Sequence, residues 1–204
     1  MSNISCILLS AGLSSRFGSP KALAFFPAPY SNKNKTVIEY LQETLINSKL
    51  SEIIIVLGYQ KELILPFILK HKKVKVVYNK DYNFGQTSSF KTGLNSTDKK
   101  SEAYMLLPVD YPLIQESTIN SLIDYFADKK PLILIPTYQG KKGHPPVFSN
   151  KLLEEFTNLD NSKGLNEISR VHKNSVEYFE TTDNGIIQSY NTKEEFENLK
   201  KSIT

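Results

Sequence analysis

The residues from Ser10 to Lys21 have the composition of an anion-binding loop. They read Ser10-Ala11-Gly12-Leu13-Ser14-Ser15-Arg16-Phe17-Gly18-Ser19-Pro20-Lys21 and follow an apolar, β-prone run, Ile4–Leu9. A hydrophobic strand that empties into a glycine- and serine-rich turn holding one Arg and one Lys is suited to receiving phosphate. Gly12 and Gly18 permit positive φ and a close approach of backbone to ligand. N–H groups exposed in such a turn point at anions, and Arg16 and Lys21 add mobile positive charge. Spacing excludes two other phosphate loops. A Walker A loop needs Gly-Lys-Ser/Thr, whereas Ser19-Pro20 separates Gly18 from Lys21; a dinucleotide fingerprint needs Gly where the chain has Ser14. An ordinary strand-to-loop turn with a surface Arg and Lys has the same local sequence.

Such a loop needs a sheet behind it. Short apolar runs alternate with amphipathic segments, the pattern of a parallel sheet covered on both faces by helices. Strands are predicted at Ile4–Leu9, Ile53–Leu57, Val74–Tyr78, Tyr104–Leu107, Leu132–Pro136 and Val176–Phe179. Helical spacing joins Val37, Ile38, Leu41, Leu45 and Ile46, and again Ile119, Leu122, Ile123 and Phe126. Gln60–Lys70 predicts a helix limited by Pro66, with further helices over Ser88–Leu94 and Lys151–Phe156. Lys193–Lys200 predicts the last one, with Thr192 and Glu195 at capping-box spacing. Phe26–Lys35, with its Pro, Asn and Lys, reads as an exposed loop. Ligands bind such sheets beyond the carboxyl ends of the strands, where the Gly12–Gly18 turn stands.

Composition narrows the class. The 204 residues suffice for one sizeable core, and a single domain over 1–204 is expected. Net charge is +4, and the densest basic cluster, Lys70–Lys75, lacks interleaved aromatics; it reads as a solvated loop, with no nucleic-acid partner expected. Cys6, the single cysteine, lies inside the first strand as a small buried residue and excludes a disulfide framework. No apolar stretch approaches the ~20 residues of a membrane span. The chain opens without a charged lead-in and apolar signal core, so the expected location is cytoplasmic. His71 and His172 have no motif around them and read as surface residues.

Four segments carry a family resemblance. Leu9-Ser10-Ala11-Gly12, with Arg16, Gly18 and Lys21, resembles the opening Leu-Ala-Ala-Gly-x-x-x-Arg-x-Gly and following Lys of the MobA-like NTP transferases, which include the molybdenum-cofactor nucleotidyltransferases. Asp110-Tyr111-Pro112-Leu113 matches the family's Asp-x-Pro-Leu; the residues alone also allow a turn or helix-cap Asp. The stretch Asn83–Gly93 is similar to Gly-x-x-x-Ser-Leu-x-x-Gly, and by itself reads as a glycine turn followed by a Ser N-cap. Gly143-His144-Pro145-Pro146-Val147-Phe148 is similar to the Gly-His-Pro-Val-Leu-Phe of the molybdenum-cofactor branch; a His beside Pro is otherwise a turn residue.

The resemblance implies a three-layer, Rossmann-like α/β fold of the nucleotide-diphospho-sugar transferase type, mostly parallel, with helices on both faces. It implies an enzyme that moves CMP from CTP to molybdopterin or the molybdenum cofactor and releases pyrophosphate, with a molybdenum hydroxylase as client. Ala11-Gly12, where guanylyl-transferring relatives carry Gly-Gly, favours CTP over GTP. Arg16 and Lys21 would hold the β- and γ-phosphates. Leu9, Ser10, Ala11, Gly12, Gly18, Gly85, Ser88 and Ser89 would surround the nucleotide, and Gly143, His144 and Pro145 the acceptor. Asp110 would be catalytic as the Mg²⁺ ligand. Positioning and charge neutralisation supply the acceleration in such a transfer.

The chain departs from the family in two places. Asn191 stands where a second metal-binding Asp is expected; an amide oxygen can coordinate Mg²⁺ but brings no charge. Asn161-Ser162-Lys163-Gly164 replaces a Gly-Asp-x-Gly loop. Asp183 is the nearest substitute carboxylate, although Asp183-Asn184-Gly185 reads first as a hairpin turn. These departures keep two alternatives open: a related transferase acting on a sugar or polyol phosphate, and a catalytically weakened nucleotide- or cofactor-binding protein.

Overall fold

β1 (Ile4–Ser10) is buried along its whole length because its two faces serve two different cores. Ile4, Cys6 and Leu8 enter one and Ile7 and Leu9 the other, the period of two that a strand imposes. The computed structural model describes residues 3–27 and 34–201. After β1 come β2 (Phe25–Pro27), β3 (Asn34–Thr36), α1 (Val37–Asn47), β4 (Glu52–Leu57), α2 (Lys61–Ile64) and β5 (Val74–Tyr78). Next are α3 (Gln86–Leu94), β6 (Ala103–Pro108), α4 (Glu116–Lys129), β7 (Ile133–Tyr138), β8 (Lys141–Lys142) and β9 (Val147–Ser149). The chain closes with α5 (Leu153–Asn158), α6 (Asn166–Val171), β10 (Val176–Glu180) and α7 (Lys193–Lys201).

The main sheet has the order β10-β7-β9-β6-β1-β4-β5, with β8 added on β7. β1 lies parallel to both β4 and β6, β4 to β5, and β10 to β7; β9 runs antiparallel between β6 and β7. One face is covered by α1, α4 and α7, which contribute Leu41, Leu45, Leu122, Phe126 and Phe196. The other takes Phe90 of α3, Phe156 of α5 and Ile168 of α6. Burying one Leu or Phe side chain fully contributes about 1.5–3 kcal/mol, so these two layers fix the frame on which the loops sit. This is the mostly parallel, helix-covered α/β sheet that the sequence predicts.

All six predicted strands are present. β9 escaped the pattern because it is three residues long and follows Pro145-Pro146. The predicted helix over Gln60–Lys70 is a four-residue α2 followed by a 3-10 turn over Leu65–Phe67, broken as Pro66 requires. The capping box of α7 is formed: Glu195 N donates to Thr192 Oγ1 at 3.1 Å and Thr192 N to Glu195 Oε2 at 3.3 Å. Two readings need correction. The ends of the predicted exposed loop pair as the β2–β3 hairpin, and Phe26 is fully buried; residues 28–33 of that loop lie outside the described residues. The basic cluster is only partly solvated, because Lys73 Nζ donates to Ile46 O at 2.9 Å and Ser48 O at 2.7 Å. A cation there suits the carbonyl-rich end of α1. Cys6 is fully buried, and burial pushes its thiol pKa up. Among the described residues no helix is long and apolar enough to cross a membrane.

Candidate active site

β1 and β6 end side by side, and beyond them opens a cleft of about 310 Å³. The glycine loop wraps one wall. Phe17 N and Gly18 N both donate to Ser14 O, at 2.9 and 3.0 Å, closing a turn in which Ser14 and Gly18 take φ of +52° and +82°. Phe17 pins the turn to the core, edge-on to Tyr190 and Phe196 with ring centroids at 5.5 and 5.9 Å. Positive φ therefore falls on Ser14 and Gly18 rather than on Gly12. Gly12 contributes space instead, since a Cβ there would meet nothing within 4 Å. Behind the loop, Gly58 lets β4 approach: a Cβ on it would come within 2.7 Å of Ala11 O.

Polar groups of the loop, of the residues after β6 and of Tyr190-Asn191 meet here. Lys21, in a 3-10 turn over Lys21–Leu23, reaches Asp110 Oδ2 at 2.8 Å and Asn191 Oδ1 at 2.9 Å through its Nζ. Arg16 Nη2 donates to the same Asn191 Oδ1 at 2.9 Å. Tyr190 ties the group from below: its hydroxyl donates to Lys21 O at 2.9 Å, and its N–H to Asp110 O at 3.3 Å. Burial, and secondarily the charge of Asp110, raise the Tyr190 pKa, so it stays a neutral donor. Asp110 follows β6 directly, with Val109 N bonded to Leu9 O at 3.0 Å, so the two strand ends register the carboxylate against the loop.

Of the residues singled out in the sequence, Leu9, Ser10, Ala11, Gly12, Arg16, Lys21, Gly85, Ser89, Asp110 and Asn191 line this cleft. Gly18 shapes the turn without lining it. Ser88 is buried, and its hydroxyl, which receives Asn79 Nδ2 at 2.9 Å and donates to Asp81 O at 2.9 Å, braces the start of α3. Gly143, His144 and Pro145 do not line the cleft either. Gly143 is required by a close approach, because a Cβ would lie 2.6 Å from Ile186 O. The His144 ring packs on Tyr111 at 4.4 Å, one residue past Asp110, and its Nδ1 lies 3.4 Å from Leu106 O. Burial lowers the His144 pKa, opposed by the Leu106 carbonyl and the charge of Asp110. Asp183 is not a substitute carboxylate. It is buried, accepts from Gln115 N and Thr118 Oγ1 at 2.9 and 2.7 Å, and caps a 3-10 turn over Asn184–Ile187 instead of forming a hairpin.

Sequence reasoning missed Ser14, Gly58, Tyr82, Gln86 and Tyr190. A glycine directly after the buried strand β4 was the available signal for Gly58. The large aromatic beside Asn191, within an otherwise polar stretch, was the signal for Tyr190.

Among the described residues, no three His, Cys, Asp or Glu side chains cluster as a ready metal site. Asp110 and Asn191 nevertheless offer hard oxygen donors at the cleft. Mg²⁺ keeps waters and is commonly held by one or two carboxylates plus substrate phosphates, so this donor set fits a cation that shares its coordination with a triphosphate.

The family model of the MobA-like NTP transferase domain matches residues 6–176. The chain is 26% identical to the molybdenum cofactor cytidylyltransferase of Escherichia coli (strain K12) over 170 residues, covering 82% of this chain and 81% of that protein. It is similar in structure to Rv0371c from Mycobacterium tuberculosis H37Rv, with a TM-score of 0.82 at 20% identity over 98% of each chain. A complex of Rv0371c with manganese gives a TM-score of 0.78 at 20% identity, over 98% of this chain and 100% of that one.

Proposed function

The chain belongs to the MobA-like NTP transferase family, and on that premise we propose that it transfers CMP from CTP to the phosphate of molybdopterin or the molybdenum cofactor, releasing pyrophosphate. The observation that carries the reading is the meeting of Arg16, Lys21 and Asp110 over a glycine loop at the ends of β1 and β6. Ala11-Gly12 and the likeness to a cytidylyltransferase favour CTP as donor.

An acceptor phosphate oxygen attacks the α-phosphorus. The bond from that phosphorus to the bridging oxygen breaks, and pyrophosphate leaves with the electron pair. Arg16 and Lys21 hold the β- and γ-phosphates and meet the charge that grows on the leaving group. Lys21 must exchange its hydrogen bonds to Asp110 and Asn191 for phosphate oxygens to do so. Backbone N–H groups around Ala11-Gly12 face the triphosphate, and Gly85 and Ser89 border the base and ribose. Asp110, with Asn191, would hold Mg²⁺, which when bound supplies charge neutralisation across the phosphates. His144, whose ring packs on Tyr111 beside Asp110, bears with Gly143 and Pro145 on the acceptor side.

CTP labelled at its α-phosphate tests this reading. Label passing to molybdopterin from CTP, but not from equally labelled GTP or ATP, supports it. Passage only to a sugar or polyol phosphate moves the chain to a neighbouring acceptor class. Bound CTP that never gives up its label favours a nucleotide-binding protein, the reading to which the missing second carboxylate lends weight.

A further inference from the structure

Asn191 links the two cations of the glycine loop. Its single Oδ1 accepts from Arg16 Nη2 and Lys21 Nζ, each at 2.9 Å, while Lys21 also pairs with Asp110 at 2.8 Å. One neutral oxygen thus holds two like charges together. The residue is itself fixed from α7, because its N–H donates to Glu195 Oε2 within the capping box of that helix. The charged side chains lining the cleft are Arg16, Lys21 and Asp110, so together they give the cleft a net positive charge. A second carboxylate at position 191 would cancel it.

Resting on the nucleotidyl-transfer reading, we propose that Asn191 is a positioning residue that preassembles Arg16 and Lys21 into a cradle able to bind nucleoside triphosphate without a divalent cation. The cation then enters only with the nucleotide or after it. Coulomb's law gives both halves of this statement. A metal-free triphosphate is a dense anion, attracted by the net positive charge that Arg16, Lys21 and Asp110 leave in the cleft. A free divalent cation meets the reverse arrangement and is repelled. Once phosphate oxygens draw Arg16 and Lys21 away, Asn191 Oδ1 becomes available as a ligand.

The test is calorimetric titration of CTP, GTP and ATP into the wild type and Asn191→Asp, in EDTA and in Mg²⁺, paired with Mn²⁺ titration of nucleotide-free protein followed by electron paramagnetic resonance. The proposal expects wild-type affinity in EDTA to stay within about tenfold of that in Mg²⁺. That metal-free affinity should fall as salt is raised. It also expects no Mn²⁺ uptake by the nucleotide-free wild type. Asn191→Asp should weaken metal-free binding by on the order of tenfold or more and acquire Mn²⁺ binding of its own. Unfolding midpoints establish that both proteins are folded. Wild-type binding that disappears in EDTA, or Mn²⁺ bound without nucleotide, overturns the proposal and leaves the transferase reading standing. Absence of nucleotide binding in both media overturns the transferase reading as well.

Discussion

Lys21 joins the loop to the two oxygens on which the proposed chemistry depends, so its removal should be felt in transfer more than in stability. Its Nζ meets Asp110 and Asn191 where the glycine loop faces the cleft. Lys21→Ala should lower pyrophosphate release by on the order of 10²-fold or more, as loss of a transition-state donor does. Arg16→Ala should cost less, because Arg16 is exposed and has no contact with Asp110 among the bonds described. Full release by Lys21→Ala would remove the residue from the machinery. A second prediction concerns His144, whose pKa burial holds below its ordinary 6.5. The unfolded chain then binds more protons than the folded one below 6.5, so this contribution to stability is present above 6.5 and lost as pH falls from there through the lower folded-state pKa. His144→Gln should flatten the decline of the unfolding midpoint on acidification; an unchanged decline would contradict the assignment. Arg16, Lys21 and Asp110 were legible as cleft residues because each lies in a segment that follows a buried strand. The hydroxyl of Ser88 was not, since its partners Asn79 and Asp81 lie on the preceding loop and turn it away from the cleft.

The elements deliver these residues through close contacts that small side chains permit. Gly58→Ala would place a Cβ 2.7 Å from Ala11 O and 2.8 Å from the Tyr82 Cβ, two walls of the cleft at once. Overpacking of this kind costs about 1–3 kcal/mol, and here it should also weaken nucleotide binding. Thermal unfolding and CTP titration of Gly58→Ala measure both; an effect on stability alone would mean that the loop tolerates the shift. Thr192→Ala removes the hydroxyl that receives Glu195 N and should destabilise by about 1 kcal/mol. The long apolar strands and periodic helices were readable because each buries a regular pattern. β9 and the β2–β3 hairpin were not, because segments of three residues show no period, and α6 buries only Ile168, too little to mark a helical face.

At the scale of the whole molecule, both cores share β1, β4 and β6, so neither face can open without stripping the other. We expect the chain to unfold in one cooperative transition, the same by circular dichroism and by tyrosine fluorescence, and to be stabilised by nucleotide through mass action. Two separated transitions would contradict a single domain. The parallel sheet was foreseeable from alternating apolar and amphipathic segments, but the antiparallel insertion of β9 between β6 and β7 was not. That insertion brings His144 against Tyr111, one residue past Asp110. Arg16, Lys21, Asp110 and Asn191 meet at the cleft as the proposed nucleotidyl-transfer site. Pyrophosphate release from CTP in the presence of molybdopterin and Mg²⁺, measured on the wild type beside Asp110→Ala, tests it most directly. Release by the wild type that Asp110→Ala abolishes is the expected result; release at equal rates from both proteins, or from neither while CTP binds, would contradict the transferase reading.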